Sequence, residues 1–387
     1  MKKICFITTV SVTMKSFVVE TAKYLHNESG YDVTLICNPD ESFEASLPEY
    51  LHFIPVEMVR GVNLSGIKSM LTLRKIFKKE KFDLIEYMTP NASLYASLAG
   101  KLSSSKIRIY SQCGIRYVSF SGIKRMIFKT FEKVTCTFST HVKGQSPKNM
   151  QFAIDEGLCR KEKISVVGIG GTIGVELDKC RSFDHAEKRA ELRKKYGIPD
   201  EAFVYGYVGR VNADKGINEL IEAFKTVLAE KKDAYLVLVG MLDDANPIKE
   251  ENLEFAKSQE NIVLTGNVPP SEVYYHMAMF DVLTHPTYRE GFGKVLQEAM
   301  GVGLPIITTN VPGPSEVVED GISGILCEVK NSDDLAEKML MLYGDKALRD
   351  NIAAAGLARA EKYFDRPIML ENILRDMDEI CGVNEGG

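Results

Sequence analysis

The chain alternates between short apolar runs and longer stretches of helical periodicity over most of its length. An apolar run bounded by turn residues predicts a buried strand, and apolar residues that recur every three or four positions predict an amphipathic helix. The order strand, helix, parallel strand occurs near the start of each half. In the first half the strand, helix and second strand are at 3–10, 16–28 and 31–37. In the second half they are at 203–208, 215–231 and 234–240.

Further apolar runs predict more strands in both halves. They lie at 83–87 and 107–111, and at 261–265, 281–285, 305–309 and 324–327. Strands that alternate with helices are typical of a parallel sheet covered on both faces. The pattern therefore predicts the α/β class, with two doubly wound, Rossmann-like domains that face each other across a cleft.

The boundary between the domains is marked by a glycine-containing junction at 168–180 and a charged helical stretch at 185–200. We expect an N-terminal domain at 1–175 and a C-terminal domain at 176–360. The last helical stretch, 361–387, is interrupted at Pro367, and we expect it to pack back onto the first domain.

Composition narrows the class of protein. The 387 residues are 45% hydrophobic and 26% charged, as in ordinary soluble domains. No apolar run is long enough to span a membrane, and the first run lacks the cleavage site of a signal peptide. Eight cysteines and six histidines show none of the spacings of metal sites. We therefore expect a cytoplasmic protein without a structural metal or a disulfide framework.

Charge is distributed unevenly between the halves. Residues 1–175 contain 24 Lys and Arg against 15 Asp and Glu, whereas the remainder contains 24 against 38. The basic half suggests an anionic partner, either a membrane surface or a lipid phosphate; drift in surface composition is the alternative. Nucleic acid is disfavoured, because the chain has no Trp and no nucleic-acid-binding motif.

If the stretch 121–135 is helical, it combines an apolar face with a set of basic residues. Its apolar face would hold Ile123, Met126, Ile127, Phe131 and Val134, and its basic positions are Lys124, Arg125, Lys129 and Lys133. Such a helix is typical of attachment at an anionic membrane surface. The same pattern also fits a helix that docks on its own domain and leaves its lysines in solvent.

Common phosphate-binding motifs are missing. The absence of G-x-x-x-x-G-K-[ST] excludes a P-loop NTPase. The loop after the first strand contains no glycine, so the pyrophosphate of a nicotinamide dinucleotide could not approach its backbone closely. The D-x-D triplet at Asp376–Asp378 falls in the last helical stretch, where we expect solvated carboxylates and no metal–diphosphate site.

The most informative segment runs from Tyr288 to Met300. It carries Glu290 and Glu298, eight positions apart, with Gly291 and Gly293 at the mouth of a helix. Eight helical residues rise about 12 Å, which separates the carboxylates by more than one sugar ring. Carboxylates accept hydrogen bonds from vicinal hydroxyls, and glycines leave backbone N–H groups open to phosphate or sugar oxygens.

Two cations lie in the loop that joins the strand at 203–208 to the next helix. Arg210 can bind phosphate through two N–H groups, and Lys215 supplies a point charge. The pair suits a diphosphate at a helix N-terminus. Solvated loop charges are the alternative.

The runs GRVNADKG and EGFGKVLQEAMGVGLPIITTNVPGPSEVVEDGISGIL resemble the donor-binding half of retaining glycosyltransferases of the GT-B fold. The likeness is to family four, in its bacterial capsule, exopolysaccharide and O-antigen branch. It implies a nucleotide-sugar donor, most simply a UDP-sugar, and retention of configuration. Because Arg210 and Lys215 already supply cations and no D-x-D loop is present, we expect transfer without a metal or a cofactor.

The resemblance also assigns roles to single residues. Glu290 corresponds to the carboxylate that reaches the transferred sugar, and Glu298 to the one that binds the donor ribose. Arg210 and Lys215 correspond to the pair that neutralises the diphosphate. Glu290, Arg210 and Lys215 are therefore the expected catalytic residues.

The remaining donor-side positions follow in the same way. Gly291, Phe292 and Gly293 match the turn whose amides face the sugar and phosphate, and Asn267 and Val268 match the position that packs the nucleobase. The triplet that begins at His285 occupies a slot that usually ends in Pro-Ser.

The acceptor side departs from the family pattern. The loop after the first strand lacks the usual glycines, and Gln112 and Cys113 stand where many relatives have a histidine before glycine. The loop that contains Arg116 resembles the acceptor-side loop of the branch, so Arg116 is expected to meet an acceptor phosphate or sugar. His141 is the nearest imidazole in this half, with a structural role as the alternative.

The first domain is thus expected to bind the acceptor, and the second the nucleotide sugar. We expect transfer of a hexose or N-acetylhexosamine to a saccharide, lipid-linked acceptor, by a protein peripheral to the inner face of the cell membrane. The rival functions are a non-hydrolysing UDP-sugar epimerase of the same fold and a non-enzymatic sugar-binding protein.

Overall fold

A computed structural model describes residues 2–59 and 64–382, apart from the side chains of Leu64, Arg116 and Ser119. The chain divides into two compact units. The first unit comprises Met1–Ile173 and Met369–Gly387, and the second comprises Gly174–Ile368. Residues 383–387, which belong to the expected C-terminal helix, lie outside the described part.

The first unit is built on a parallel sheet with the strand order β3-β2-β1-β4-β5-β6-β7. Its strands are β1 (Lys3–Ile7), β2 (Asp32–Cys37), β3 (His52–Pro55), β4 (Leu84–Tyr87), β5 (Ile107–Gln112), β6 (His141–Gly144) and β7 (Ile164–Val166). Its helices are α1 (Ser11–Phe17), α2 (Val19–Ser29), α3 (Glu41–Ala45), α4 (Leu64–Glu80), α5 (Pro90–Ser103), α6 (Gly122–Phe138) and α7 (Pro147–Asp155). Ile4 and Phe6 of β1 pack into one core and Cys5 and Ile7 into another, which explains why this strand is an unbroken apolar run.

The second unit repeats this plan with the order β10-β9-β8-β11-β12-β13, again parallel. Its strands are β8 (Phe203–Val208), β9 (Ala234–Val239), β10 (Ile262–Gly266), β11 (Val282–His285), β12 (Ile306–Thr309) and β13 (Ile325–Cys327). Its helices are α8 (Leu177–Arg181), α9 (His185–Lys195), α10 (Ile217–Glu230), α11 (Glu250–Ser258), α12 (Val273–Met277), α13 (Lys294–Val302), α14 (Pro314–Val317), α15 (Ser332–Gly344) and α16 (Lys346–Tyr363). The last helix, α17 (Arg366–Ile380), carries the chain back to the first unit.

Each sheet has a point at which the strand order reverses. It lies between β1 and β4 in the first unit and between β8 and β11 in the second. In doubly wound sheets the loops at the carboxyl ends of these two strands part to opposite sides and leave a crevice for ligands. The loops after β8 and β11 carry the expected Arg210, Lys215 and Glu290.

Every strand that the apolar pattern predicts is present, so the α/β prediction is confirmed. The pattern did not predict β3, β6 and β7. These strands are only three or four residues long, and the first two contain polar residues or proline. They extend existing sheets, which tertiary pairing allows without a strong local signal.

The helix predicted at 121–135 exists as α6, and only part of its apolar face is covered. Phe131 and Val134 pack against the core of the first unit. Ile123, Met126 and Ile127 are 74%, 63% and 44% exposed. The carboxyl half of α6 therefore docks on its own domain, and the amino half presents apolar side chains to solvent.

The expectation of solvated carboxylates at the D-x-D triplet is wrong. Asp376 lies 2.8 Å from the ammonium of Lys143, which is buried and also contacts Glu86 at 3.4 Å. Asp378 accepts a hydrogen bond of 2.6 Å from the Tyr31 hydroxyl. Both carboxylates therefore fasten α17 to the first unit.

Candidate active site

The loop after β8 is shaped by a short 3-10 turn, Ala213–Lys215. The Asn212 side chain caps this turn by accepting the backbone N–H of Lys215 at 3.0 Å. Gly216 follows with φ of 70°, and a Cβ there would lie 1.9 Å from the carbonyl oxygen of Pro286. Only glycine allows this approach, which brings the loop of Lys215 against the end of β11.

The loop after β11 is held at two points. The Tyr288 hydroxyl donates to Glu219 at 2.6 Å, and the Arg289 guanidinium donates to Asp214 at 2.7 Å. These contacts tie the two residues that precede Glu290 to α10 and to the β8 loop, and the Glu290 carboxylate faces the β8 loop.

The two loops meet in an ion pair between the Lys215 ammonium and Oε2 of Glu290. Their side chains are 16% and 27% exposed, so the pair is partly shielded from water. Arg210 instead lies 70% exposed, with its guanidinium 2.8 Å from Oδ2 of Asp243. The structure thus brings Lys215 and Glu290 together and leaves Arg210 at the rim with another carboxylate.

His285, the last residue of β11, adds a buried imidazole to this pair. Its Nε2 lies 3.9 Å from Oε2 of Glu290, and its ring stacks on Tyr207 with centroids 5.4 Å apart. Burial is the main cause that lowers the pKa of His285 below its ordinary value. The pKa of Glu290 is lowered to about 2: burial acts to raise it, but the His285 imidazole and the Lys215 ammonium outweigh burial. Glu290 is therefore an anion throughout the physiological range.

Glu298 lies apart from this cluster, and the helical spacing argument for the two carboxylates is wrong. α13 begins only at Lys294, so Glu298 is on the helix and Glu290 is in the preceding loop. The Lys294 ammonium lies 3.2 Å from Oε1 of Glu298. Burial raises the pKa of Glu298 above its ordinary value despite this contact.

The turn between the carboxylates leads into the amino end of α13. Gly293 has φ of 99° and no side-chain cap occupies this helix end. The Phe292 ring is buried and packs edge-on against Phe364, with centroids 5.7 Å apart. Phe292 can therefore offer only its backbone to a ligand. A Cβ at Gly313, where φ is 92°, would lie 2.8 Å from the carbonyl oxygens of Glu290 and Gly291, so this close approach favours glycine.

The expected nucleobase position lies at the edge of the same sheet. Asn267 and Val268 directly follow β10, at its carboxyl end. Asn267 is exposed and Val268 is half-buried. They share the carboxyl edge of the sheet with the β8 and β11 loops, which is where a nucleotide would extend.

The structure does not bring the two acceptor-side candidates to one edge of the first sheet. Arg116 begins a 3-10 turn beyond the carboxyl end of β5, and its side chain lies outside the described part. His141 begins β6 and pairs with Ile109, so it lies toward the amino end of the strands. It is half-buried, its Nδ1 is 3.0 Å from Oγ1 of Thr140, and burial is the main cause that lowers its pKa. This position favours the structural role.

Sequence reasoning missed Thr89 in the first unit. Thr89 follows β4 with φ of 73°, a conformation that β-branched residues rarely adopt. Its hydroxyl accepts the backbone N–H of Thr9 at 3.0 Å, so the loops after β1 and β4 are joined at the strand-order reversal. Backbone strain of this kind concentrates at functional sites, yet no local sequence signal announces a threonine at positive φ.

Within the described part, no group of three or more His, Cys, Asp or Glu side chains could hold a metal ion. Nor is any helix there both long and apolar enough to cross a membrane.

Comparison with known proteins identifies the family. Residues 188–359 match the family described as glycosyl transferases group 1, and residues 3–146 match the one described as glycosyl transferase 4-like. The capsular polysaccharide biosynthesis glycosyltransferase CapM of Staphylococcus aureus is 32% identical over 345 residues, which cover 88% of each chain. The chain belongs to the family-four glycosyltransferases.

A second relative and a solved structure add to this picture of a family-four glycosyltransferase. The UDP-Gal:alpha-D-GlcNAc-diphosphoundecaprenol alpha-1,3-galactosyltransferase of Escherichia coli is 25% identical, over 84% of this chain and 83% of its own. Anabaena HepE, solved in complex with UDP and glucose, superposes with a TM-score of 0.79 at 19% identity, over 98% of this chain and all of its own. The fold of this family-four enzyme is GT-B. Because the chain belongs to a family of transferases, the two alternative functions, an epimerase and a non-enzymatic sugar-binding protein, are rejected.

Proposed function

We propose that this glycosyltransferase moves a hexose or N-acetylhexosamine from a UDP-sugar to a lipid-linked saccharide, with retention of configuration. The observation that carries the proposal is the meeting of Lys215, Glu290 and the amino end of α13 at the strand-order reversal of the second unit. A diphosphate and a sugar need just this combination of a cation, a hydrogen-bond acceptor and helix amides.

The leaving group is stabilised by charge on the second unit. Arg210, Lys215 and the amides at Gly291, Phe292 and Gly293 neutralise the diphosphate as the bond to the sugar loosens. Preorganised donors of this kind are each worth about 100- to 1000-fold in rate. No metal has a role in this mechanism.

The two glutamates recognise hydroxyl groups. Glu290 is ionised and accepts hydrogen bonds from the transferred sugar, and Glu298 accepts them from the ribose. Asn267 and Val268 contact the base. The acceptor hydroxyl attacks the sugar carbon from the face that the diphosphate leaves, and a phosphate oxygen takes its proton, so no protein nucleophile is needed.

The relatives support the substrate classes. The Escherichia coli relative is named for a UDP-galactose donor and a diphosphoundecaprenol-linked acceptor, and the Staphylococcus aureus relative for capsular polysaccharide. HepE was solved with UDP and glucose. On these grounds the product belongs to a bacterial surface polysaccharide. The likeness of its loop to the acceptor-side loop of the family assigns Arg116 to the acceptor phosphate or sugar.

A panel of UDP, GDP and ADP with their sugars tests the proposal by thermal shift. A ligand at 100 times its dissociation constant adds about 2.7 kcal/mol to the free energy of unfolding. We expect UDP and one or two UDP-sugars to stabilise the protein, and UDP release to require a diphosphoprenyl-linked saccharide. Stabilisation by GDP or ADP sugars alone would contradict the donor assignment, and turnover that EDTA abolishes and magnesium restores would contradict the metal-free mechanism.

We also propose that the amino half of α6 attaches the first unit to an anionic membrane surface, where a lipid-linked acceptor resides. Ile123, Met126 and Ile127 are available for insertion, because they contribute little to the core. The cationic part is smaller than the sequence suggests: the Lys129 and Arg125 side chains lie 2.6 Å and 3.7 Å from Glu156, which offsets part of their charge. Apolar insertion therefore carries more of the attachment than charge does.

Co-sedimentation with vesicles that contain anionic lipid tests the attachment. We expect binding that weakens as salt rises, since screening limits these charges to about 8 Å. Changing Ile123, Met126 and Ile127 to serine should abolish it. A matched control changes Met241, Leu242 and Ile322 to serine, because these apolar residues of the second unit are similarly exposed. Equal losses in both triple variants would contradict the proposal.

A further inference from the structure

His285 is a buried polar side chain without a partner. It is 2% exposed, and neither ring nitrogen has a hydrogen-bond partner among the described residues. A buried polar group without a hydrogen bond lowers the stability of the fold by about 1–3 kcal/mol. At a binding site, such a group indicates that it gains a hydrogen-bond partner when a ligand binds. The nearest charged group is the Glu290 carboxylate, 3.9 Å from Nε2.

The imidazole is held by a ring stack, and the backbone that carries it is held by a hydrogen bond. Its ring lies nearly parallel to that of Tyr207, at an interplanar angle of 8°. The Tyr207 hydroxyl is itself held by donating to the carbonyl oxygen of Arg210 at 2.8 Å. The backbone carbonyl of His285 accepts from Oγ1 of Thr308 at 2.9 Å. The ring therefore cannot turn away from Glu290 without disturbing the core.

Lys215 and His285 converge on one oxygen of Glu290. The Lys215 ammonium contacts the same Oε2 that His285 faces. Lys215 is also the cation proposed for the diphosphate, and a diphosphate carries more negative charge than one carboxylate. Donor binding would therefore draw Lys215 from Glu290 and leave that anion in need of another donor.

We propose that His285 is a positioning residue, which takes over the Glu290 carboxylate from Lys215 when the donor diphosphate binds and holds it toward the transferred sugar. This inference rests on the proposed function. The carboxylate has to close only about 1 Å to reach hydrogen-bonding distance of Nε2–H. A neutral imidazole donor satisfies one lone pair and leaves the negative charge available to the sugar hydroxyls.

Two charged groups face this imidazole, Lys215 from the β8 loop and Glu290 from the β11 loop. Tyr207 from β8 stacks on the ring and stays neutral, because burial raises its pKa. Burial and the Lys215 ammonium lower the pKa of His285, and Glu290 acts against them. Moving Lys215 onto the diphosphate removes one of the lowering causes. The His285 pKa should therefore rise when UDP binds.

Two variants separate hydrogen bonding from packing. His285→Phe keeps a ring against Tyr207 and removes the N–H donor, whereas His285→Gln keeps a donor. UDP-galactose, UDP-N-acetylgalactosamine, UDP-glucose and UDP-N-acetylglucosamine are the donors, and UDP release from the best of them is the rate. We expect His285→Phe to lower kcat about 10- to 100-fold, the range for one hydrogen bond to a charged group, and UDP affinity to change less than about twofold.

His285→Gln should recover at least part of the lost kcat. His276→Gln is the matched control, because His276 is equally buried in the same unit but both of its ring nitrogens are bonded, to Glu272 and Tyr196. This control should lose stability and keep kcat.

Nitrogen NMR of the histidine rings supplies a readout that does not need a folded variant of His285. In the wild-type protein, UDP should shift the signals of one imidazole and raise its pKa. Unchanged ring signals on UDP binding, or equal kcat in wild type and His285→Phe, would overturn the inference. Failure of the wild type to bind UDP would instead overturn the proposed function.

Discussion

Each unit places a lysine between elements that are distant in sequence, and the two lysines differ in what encloses them. Lys143 is 7% exposed in its side chain and lies between Glu86 and Asp376 inside the first unit. Lys215 contacts Glu290 at the carboxyl edge of the second sheet, where both side chains are partly open to solvent. Because Lys143 is enclosed, its contacts with Glu86 and Asp376 are structural. Because Lys215 lies at an open edge, it can exchange Glu290 for a ligand.

The energetics follow from this difference. Burial acts to lower the pKa of Lys143, but Glu86 and Asp376 outweigh it and raise the pKa above its ordinary value. Lys143 therefore stays charged in the interior because both carboxylates, Glu86 and Asp376, are present. At the open edge, water and ligands can replace Glu290 at much smaller cost.

Removing the enclosed lysine should have the largest effect on stability. Lys143→Ala leaves the buried Glu86 and the half-buried Asp376 without their counter-ion, which should lower the free energy of unfolding by about 3–5 kcal/mol. Urea unfolding measures it, with Lys179→Ala as the control, since Lys179 is 64% exposed beside Glu176. A loss no larger than that of the control would show that the contrast between the two lysines is false.

Removing the open-edge lysine should have the largest effect on turnover. Lys215→Ala takes a preorganised cation from the diphosphate and should lower the rate about 100- to 1000-fold. Steady-state UDP release measures this, and urea unfolding should show a smaller loss than for Lys143→Ala. Unchanged affinity for UDP together with unchanged turnover would remove Lys215 from the donor site.

A smaller effect should appear in the pH dependence of stability. The depressed pKa of Glu290, about 2, means that its stabilising contribution is present above the pKa of the unfolded state and is lost as pH falls toward 2. In Glu290→Gln the free energy of unfolding should therefore fall less steeply as pH is lowered than it does in the wild type. Glu298→Gln is the control of opposite sign, because the raised pKa of Glu298 gives stability that increases as pH falls. Urea unfolding between pH 6 and 3 compares the three proteins, and parallel slopes would contradict the assignment.

The smallest stability effect is expected at Arg210. Its ion pair with Asp243 is at the surface, so Arg210→Ala should change the free energy of unfolding by about 1 kcal/mol or less. UDP affinity should nevertheless fall about tenfold or more, as for a lost hydrogen bond to a charged group. Arg375→Ala, which removes another exposed arginine and its ion pair with Glu371, is the control. Titration calorimetry with UDP decides it: equal affinities in the two variants would exclude Arg210 from the donor site.

The sequence alone determined the two α/β units and the segments that carry their chemistry. Buried parallel strands such as β1 and β8 are apolar on both faces, so their signal is local and unbroken. The loop of Arg210 and the turn around Glu290 could be recognised because glycines and charges stand at fixed spacings there. Strands β6 and β7 escaped recognition because they are short and depend on pairing with neighbours.

Tertiary structure decided which of these residues meet. Lys215 and Glu290 are 75 positions apart and come together because β8 and β11 are neighbours at the strand-order reversal. No local pattern shows that Asp376 reaches Lys143, or that only part of α6 is covered. These contacts depend on long-range parallel pairing and on which helix face finds a core, and neither is encoded within a short window of sequence.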